Sequence, residues 1–178
     1  MTEDAYSGLF GAFPYAFRRS DSRLFRGYVL LGGLVALLLA LVFVFALITT
    51  VANTLGTGGG TFTFARAFVI VVALLVLFPV IAPVLLVARR HRRAGSDTRY
   101  DAALAGMGLL FLLSLYLGLV ASVPPEFVLD GEPVTRPAPS GLFAPLIRVL
   151  YAVPTAGAAG IPALVALAMY GVHRALDR

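Results

Sequence analysis

Apolar residues fall in four long blocks at 28–52, 67–88, 102–123 and 149–172, and no charged residue interrupts any of them. The blocks are apolar on all sides, whereas a helix of a water-soluble domain keeps one polar face. A bilayer core of about 30 Å needs about 20 helical residues at a rise near 1.5 Å each. Every block reaches that length, so the pattern predicts four transmembrane helices. The expected class is all-α: a polytopic membrane protein, one four-transmembrane-helix bundle over 1–178 with a short interfacial segment at 1–27. The first block follows four arginines and is too long for a secretory signal, whose apolar region runs roughly 7–15 residues. It is read as a retained helix.

Composition agrees. The chain has 178 residues, 60% hydrophobic and 13% charged, about half the charge of a soluble domain. Every basic residue is arginine, and lysine, glutamine, cysteine and tryptophan are absent. Without cysteine there are no disulfides, thiolate nucleophiles or cysteine-held metal sites. The net charge of +5 would suit nucleic acid, but the arginines flank the apolar blocks, so no nucleic-acid partner is expected. Lipid and orientation explain them more simply.

The arginines set the topology. Arg18, Arg19, Arg23 and Arg26 precede the first block, Arg89, Arg90, Arg92, Arg93 and Arg99 lie between the second and third, and Arg174 and Arg178 follow the fourth. Four crossings put these on one side and leave Arg66, Arg136 and Arg148 on the other. The positive-inside bias then places both termini and the basic loop at 89–101 in the cytoplasm of a cell-membrane protein. Arg18, Arg19, Arg89, Arg90, Arg92 and Arg93 are the candidate contacts for anionic lipid headgroups.

Local signals fill in the connections. Tyr6, Leu9, Phe10, Phe13 and Phe17 are spaced for one helical face and suit a segment lying in the interface, with Pro14 splitting or starting it. Ser20-Asp21-Ser22 offers an N-cap. Gly32, Ala36 and Ala40, and then Gly106, Ser114, Gly118 and Ser122, form small-residue stripes for close helix packing. Gly56, Gly58, Gly59 and Gly60 mark a turn, without the strand, lysine and helix of a phosphate loop. Gly95 ends one helix and Ser96 or Asp97 caps the next. Asp97 and Asp101 then sit at the positive end of the helix dipole.

The loop at 124–145 is rich in proline. Asp130-Gly131 suits a small hairpin, which Pro133 opposes. Its acidic Glu126, Asp130 and Glu132 are expected to pair with Arg66 and Arg148, and an anion site at those two arginines is the sharper alternative. Pro79, Pro83, Pro154 and Pro162 are expected to kink the second and fourth helices, with the freed carbonyls near Leu75 and Pro79 finding other partners.

The reactive side chains form no recognisable centre. The four blocks contain no Asp, Glu, Arg, His or Asn, whereas proton-coupled carriers use an intramembrane carboxylate. No cofactor, metal site or catalytic residue is expected. The first reading is a non-enzymatic accessory or structural membrane component, with a homo-oligomer or a membrane-protein partner. The alternative is a small oligomeric transporter or channel protomer with a wet polar track containing Ser114 and Thr155. An enzyme ranks last and would need a rim site at Asp97, Asp101, Arg92 and His91.

The stretches 11–18 (GAFPYAFR), 83–93 (PVLLVARRHRR) and 99–104 (RYDAAL) resemble those of small integral membrane proteins of halophilic archaea. That resemblance implies a four-helix membrane fold, no assigned activity and no functional residues.

Overall fold

The computed structural model describes residues 8–55, 60–129 and 131–177. Tyr6, Gly56, Gly58, Gly59, Asp130 and Arg178 therefore lie outside the described residues, as does the side chain of Phe10. The elements are α1 (Gly8–Arg19), α2 (Arg23–Asn53), α3 (Gly60–Ala94), α4 (Thr98–Ala121), β1 (Glu126–Leu129), β2 (Glu132–Thr135), α5 (Ala144–Tyr151) and α6 (Gly160–Leu176), with a 3-10 turn at Thr155–Gly157. The class is all-α. Four helical stretches are long and apolar enough to cross a membrane: Arg23–Asn53, Thr63–Ala94, Thr98–Ala121 and Thr155–Leu176. The chain divides into two compact units, Met1–Leu109 with Val172–Arg178, and Leu110–Gly171.

In the first unit, α2 begins where Ser22 caps it, its hydroxyl accepting from the Phe25 N–H at 3.2 Å. Such a cap contributes about 1 kcal/mol. Packing is concentrated at one end. Phe25, Tyr28, Val29, Gly32 and Ala36 are buried on α2, Val80, Pro83, Val84, Val87, Ala88 and His91 on α3, and Tyr100, Asp101, Leu104, Ala105 and Gly108 on α4. Each set repeats every three or four residues, the spacing of one helical face. No described residue between Leu37 and Pro79 is buried. Only 6% of the most apolar window of α2 is buried, and Leu37, Leu38, Leu41, Val42, Val44, Phe45 and Ile48 are each at least 47% exposed. Leaving these side chains in water would forfeit on the order of 10 kcal/mol, as much as the net stability of a whole domain. Lipid is the solvent that accommodates them.

Tyr28 joins three helices of this unit. Its hydroxyl donates to the Val80 carbonyl of α3 at 2.5 Å. Its ring lies where a side chain at Gly108 of α4 would begin. The bond enters α3 within the Pro79–Pro83 turn, close to where the sequence called for an external partner. It meets Val80 rather than Leu75 or Pro79. α3 runs as one helix through both prolines.

α1 differs from its expectation at Pro14. Pro14 lies inside the helix and neither splits nor starts it. The ring lies at an exposed position, so the helix carries the missing N–H on its outer side. Its fully buried residues are Ala12 and Ala16. These small residues let α1 pack against α3 and α2, with Phe13 laid over Gly33.

In the second unit, the helix expected at 149–172 is interrupted. α5 ends at Tyr151 and α6 starts at Gly160. Pro154 has no N–H to continue α5 and forces Val153 away from helical geometry. Pro162 falls in the first turn of α6, where no donor is required. Short bonds from Gly157 N to Pro154 O (2.7 Å), Ala158 N to Thr155 O (3.3 Å) and Ile161 N to Ala158 O (3.2 Å) satisfy the gap. Gly118 of α4 is the close approach, since a Cβ there would lie 3.2 Å from the Ala158 carbonyl and 3.3 Å from Pro162. Among the described residues a Cβ at Gly106 would meet nothing within 4 Å, whereas Ser114 and Gly118 of the same predicted stripe are buried.

The hairpin forms despite Pro133. Glu126 pairs with Thr135, Phe127 with Val134, Val128 with Pro133 and Leu129 with Glu132. Arg136 N bonds Pro125 O at 2.9 Å, which marks that pair as hydrogen-bonded. Alternation then puts Val128–Pro133 at a non-bonded position, where a missing N–H costs nothing. Gly131 supplies the positive φ of 87° at the turn.

Replacing Gly108 by alanine drives a methyl into the Tyr28 ring. Despite the roughly 1 kcal/mol gain in helix propensity, the variant is expected to lose about 1–3 kcal/mol in detergent unfolding.

Candidate functional site

The polar groups of the first unit gather at its packed end, and helix caps place them there. Asp97 caps α4, its Oδ1 accepting from the N–H groups of Arg99 (3.0 Å) and Tyr100 (3.2 Å). Gly95, at φ 85°, ends the α3 side of the turn, as its sequence position predicts. Asp101 follows one turn later and faces inward.

Asp101 is fully buried, as is Ser20 in the α1–α2 connection. Ser20 Oγ donates to Asp101 Oδ2 at 2.5 Å. His91 Nε2 lies 2.9 Å from Asp101 Oδ1. A carboxylate only accepts, so Nε2 carries the proton that faces it. Ser20 Oγ also accepts from Ser22 N at 3.2 Å, and Ser20 O accepts from Arg26 Nε at 2.8 Å. One carboxylate on α4 thus holds α3 and the α1–α2 connection. His91 Nδ1 is buried without a partner among the described residues.

Residue type and position suggest a dipole role for Asp101 and a place in the basic loop for His91, and both belong to the rim site that an enzyme would need. The structure brings the two together. Serine, aspartate and histidine invite comparison with a hydrolase triad, but the order is wrong for one. The serine hydroxyl bonds the carboxylate, whereas an activated nucleophile bonds the base. Among the described residues there is also no group of three or more His, Asp or Glu placed to hold a metal ion.

A second polar layer centres on Arg90. Its guanidinium meets Asp97 Oδ2 at 3.1 Å, donates to the Leu176 carbonyl at 2.8 Å and lies 4.3 Å above the Tyr100 ring. It caps the C-terminus of α6 while bracing the start of α4. The Tyr100 hydroxyl meets His173 Nδ1 at 2.7 Å. Arg89, Arg92 and Arg93 have a different setting: with Leu85 they line an open depression of about 460 Å³. Arg18 is exposed, and Arg19 lies 5.9 Å over the Tyr15 ring.

The outer arginines fall in separate units. Arg66 donates to Thr54 Oγ1 from Nε at 3.1 Å and from Nη2 at 2.8 Å. Arg148 is exposed on α5. Sequence reasoning passed over Arg136, whose Nη1 donates to the Val123 carbonyl just past α4 at 2.8 Å and whose guanidinium stacks 3.6 Å above Tyr151. A cation beside a helix C-terminus was the available signal.

Helices of this length and apolarity, with polar groups collected at their ends, define a multi-pass integral membrane protein. The chain belongs to the family described as Domain of unknown function (DUF8056), which it matches over residues 1–177. No curated protein and no solved structure matches it.

Removing the central carboxylate with Asp101→Ala leaves two buried donors unpaired. It should lower stability by about 2–5 kcal/mol and speed protease cutting between α1 and α2. Asp101→Asn keeps one acceptor and should lose less on both measures.

Proposed function

We propose that this protein is a non-enzymatic accessory or structural component of the cell membrane, working through its helix surfaces and its basic end. The observation that carries the reading is the commitment of its buried polar groups. Ser114 is buried and its hydroxyl turns back to the Phe111 carbonyl of its own helix at 2.7 Å. A transport path would need that hydroxyl facing water. Ser20 and Asp101 are enclosed and satisfied by each other, so a substrate has no access to them.

The arginine distribution supports cytoplasmic termini and an anionic inner leaflet as lipid partner. The arginine-only basicity and the three stretches quoted above support an origin in a halophilic archaeon. The alternative, a small oligomeric transporter or channel protomer, draws on the interruption between α5 and α6.

Purified in mild detergent, the protein should co-elute with a second membrane protein. Reconstituted alone in liposomes, it should leave ion and solute flux at the protein-free rate. A homo-oligomer that raises the flux would transfer the assignment to transport.

A further inference from the structure

α5 is apolar on both of its sides and too short to cross a membrane. At about 100° per residue, its buried and half-buried positions, Ala144, Ile147, Leu150 and Tyr151, fall within an arc of about 120°. Pro145, Leu146, Arg148 and Val149 take the rest of the circle, and all four are exposed. Leu142 and Phe143 lead into the helix and are exposed as well. The large apolar side chains of this stretch, Leu142, Phe143, Leu146 and Val149, are between 46% and 89% exposed. A surface helix in water would turn polar residues outward here, yet Arg148 is the one charged residue of α5. Eight residues reach about 12 Å, against a bilayer core of about 30 Å.

The inner face of α5 fixes its depth. Leu150 packs in one buried cluster with Ala121 and Ala158, and Leu117 and Val120 of α4 lie against it. These α4 residues close the uncharged run 102–123, which is about 33 Å long at 1.5 Å per residue. Ala121 lies about 3 Å inside the end of that run and Leu117 about 9 Å. Arg136 holds the same level. It donates to the Val123 carbonyl at 2.8 Å and lies 3.6 Å above the Tyr151 ring, so the end of α5 stands beside the last residue of the run. From there α6 carries the chain back into the membrane, with Leu164 and Leu167 exposed along it.

We infer that α5 is an in-plane anchor, with Leu142, Phe143, Leu146 and Val149 sunk in the lipid leaflet at the Ala121 end of α4. Arg148 stands at least about 100° around the helix from Leu146 and Val149, which lets its guanidinium reach the headgroups while they face acyl carbon. A second copy could cover the same face. Lipid is the occupant assigned because the face lies at its depth whether or not another protein is present. The inference depends on α4 and α6 crossing the membrane and not on the accessory role.

The chain contains no tryptophan, so a single one reports its own surroundings. Leu146→Trp and Val149→Trp are made in the full chain and reconstituted in phosphatidylcholine vesicles. Lipid brominated high on the acyl chain quenches near the interface, lipid brominated near the chain end quenches at the midplane, and acrylamide quenches from water. Both variants should be quenched at least about twofold more by the first lipid than by the second, as a face about 5–10 Å deep requires. Leu167→Trp, at an exposed position on α6, should show the reverse order. Glu132→Trp, on the hairpin, should respond to acrylamide and to neither lipid. Thermal unfolding checks that each variant folds. Leu142→Trp, outside the helix, carries the same readings should either α5 variant fail to fold. Acrylamide quenching on α5 equal to that of Glu132→Trp would put the face in water and overturn the anchor. Quenching in the order of Leu167→Trp would put α5 inside the span and overturn the in-plane placement. Shielding from acrylamide and from both lipids would mean that a second copy covers the face, and would overturn the lipid assignment. None of these readings concerns flux or co-eluting protein, so this inference and the accessory reading fail separately.

Discussion

Hydrocarbon offers no hydrogen bond, and every polar group that enters it must be satisfied by the chain itself. The spans of this protein follow from that condition. Thr49 and Thr50 turn their hydroxyls to the Phe45 and Ala46 carbonyls of their own helix, at 3.1 and 2.7 Å. Ser114 does the same. Tyr28, too large to fold back, reaches across to Val80. Between α5 and α6, where Pro154 stops the ladder, 3-10 bonds take over. The polar side chains are few, and their partners lie close at hand.

At the packed end of the first unit the same condition acts on charge. Asp101 is a fully buried carboxylate, and a buried carboxylate without donors would cost several kcal/mol. Ser20 and His91 supply the donors from two other segments, so satisfying one charge also fastens the α1–α2 connection to α3 and α4. Arg90 repeats the device one layer away, with Asp97, a helix-terminal carbonyl and an aromatic face as its partners. The basic run on α3 therefore divides by direction. Inward positions hold helices together, and outward ones present charge.

Much of the fold is legible in the sequence because lipid imposes a simple rule. Length and apolarity mark four helices long enough to cross, although the fourth stretch runs over Thr155–Leu176 rather than 149–172. The caps at Ser22 and Asp97 and the turn at Gly95 follow from residue type. Legibility fails where the outcome depends on which side of a helix meets a neighbour. Nothing local distinguishes Gly108, under Tyr28, from Gly106, where a Cβ would meet none of the described residues. Asp101 reads locally as a residue suited to a helix start, and its pairing with Ser20 spans 81 positions. Pro154 and Pro162 are visible as irregularities, but whether such residues bend a helix or end it rests on the backbone partners around them. Pro133 shows the reverse case, a residue that disfavours a strand on propensity and is harmless in the register the hairpin adopts.

The uneven packing of the first unit has a mechanical corollary. Among the described residues, the buried side chains of these helices fall between Phe25 and Ala36 on α2 and between Val80 and His91 on α3, and the remaining lengths are joined by little more than the Arg66–Thr54 bonds. Force applied at the turn joining α2 to α3 would first break the Arg66–Thr54 bonds and then draw out those lengths against the surrounding lipid. It would then meet a sharp rise in resistance at Tyr28, where peeling gives way to prying apart an interlocked joint.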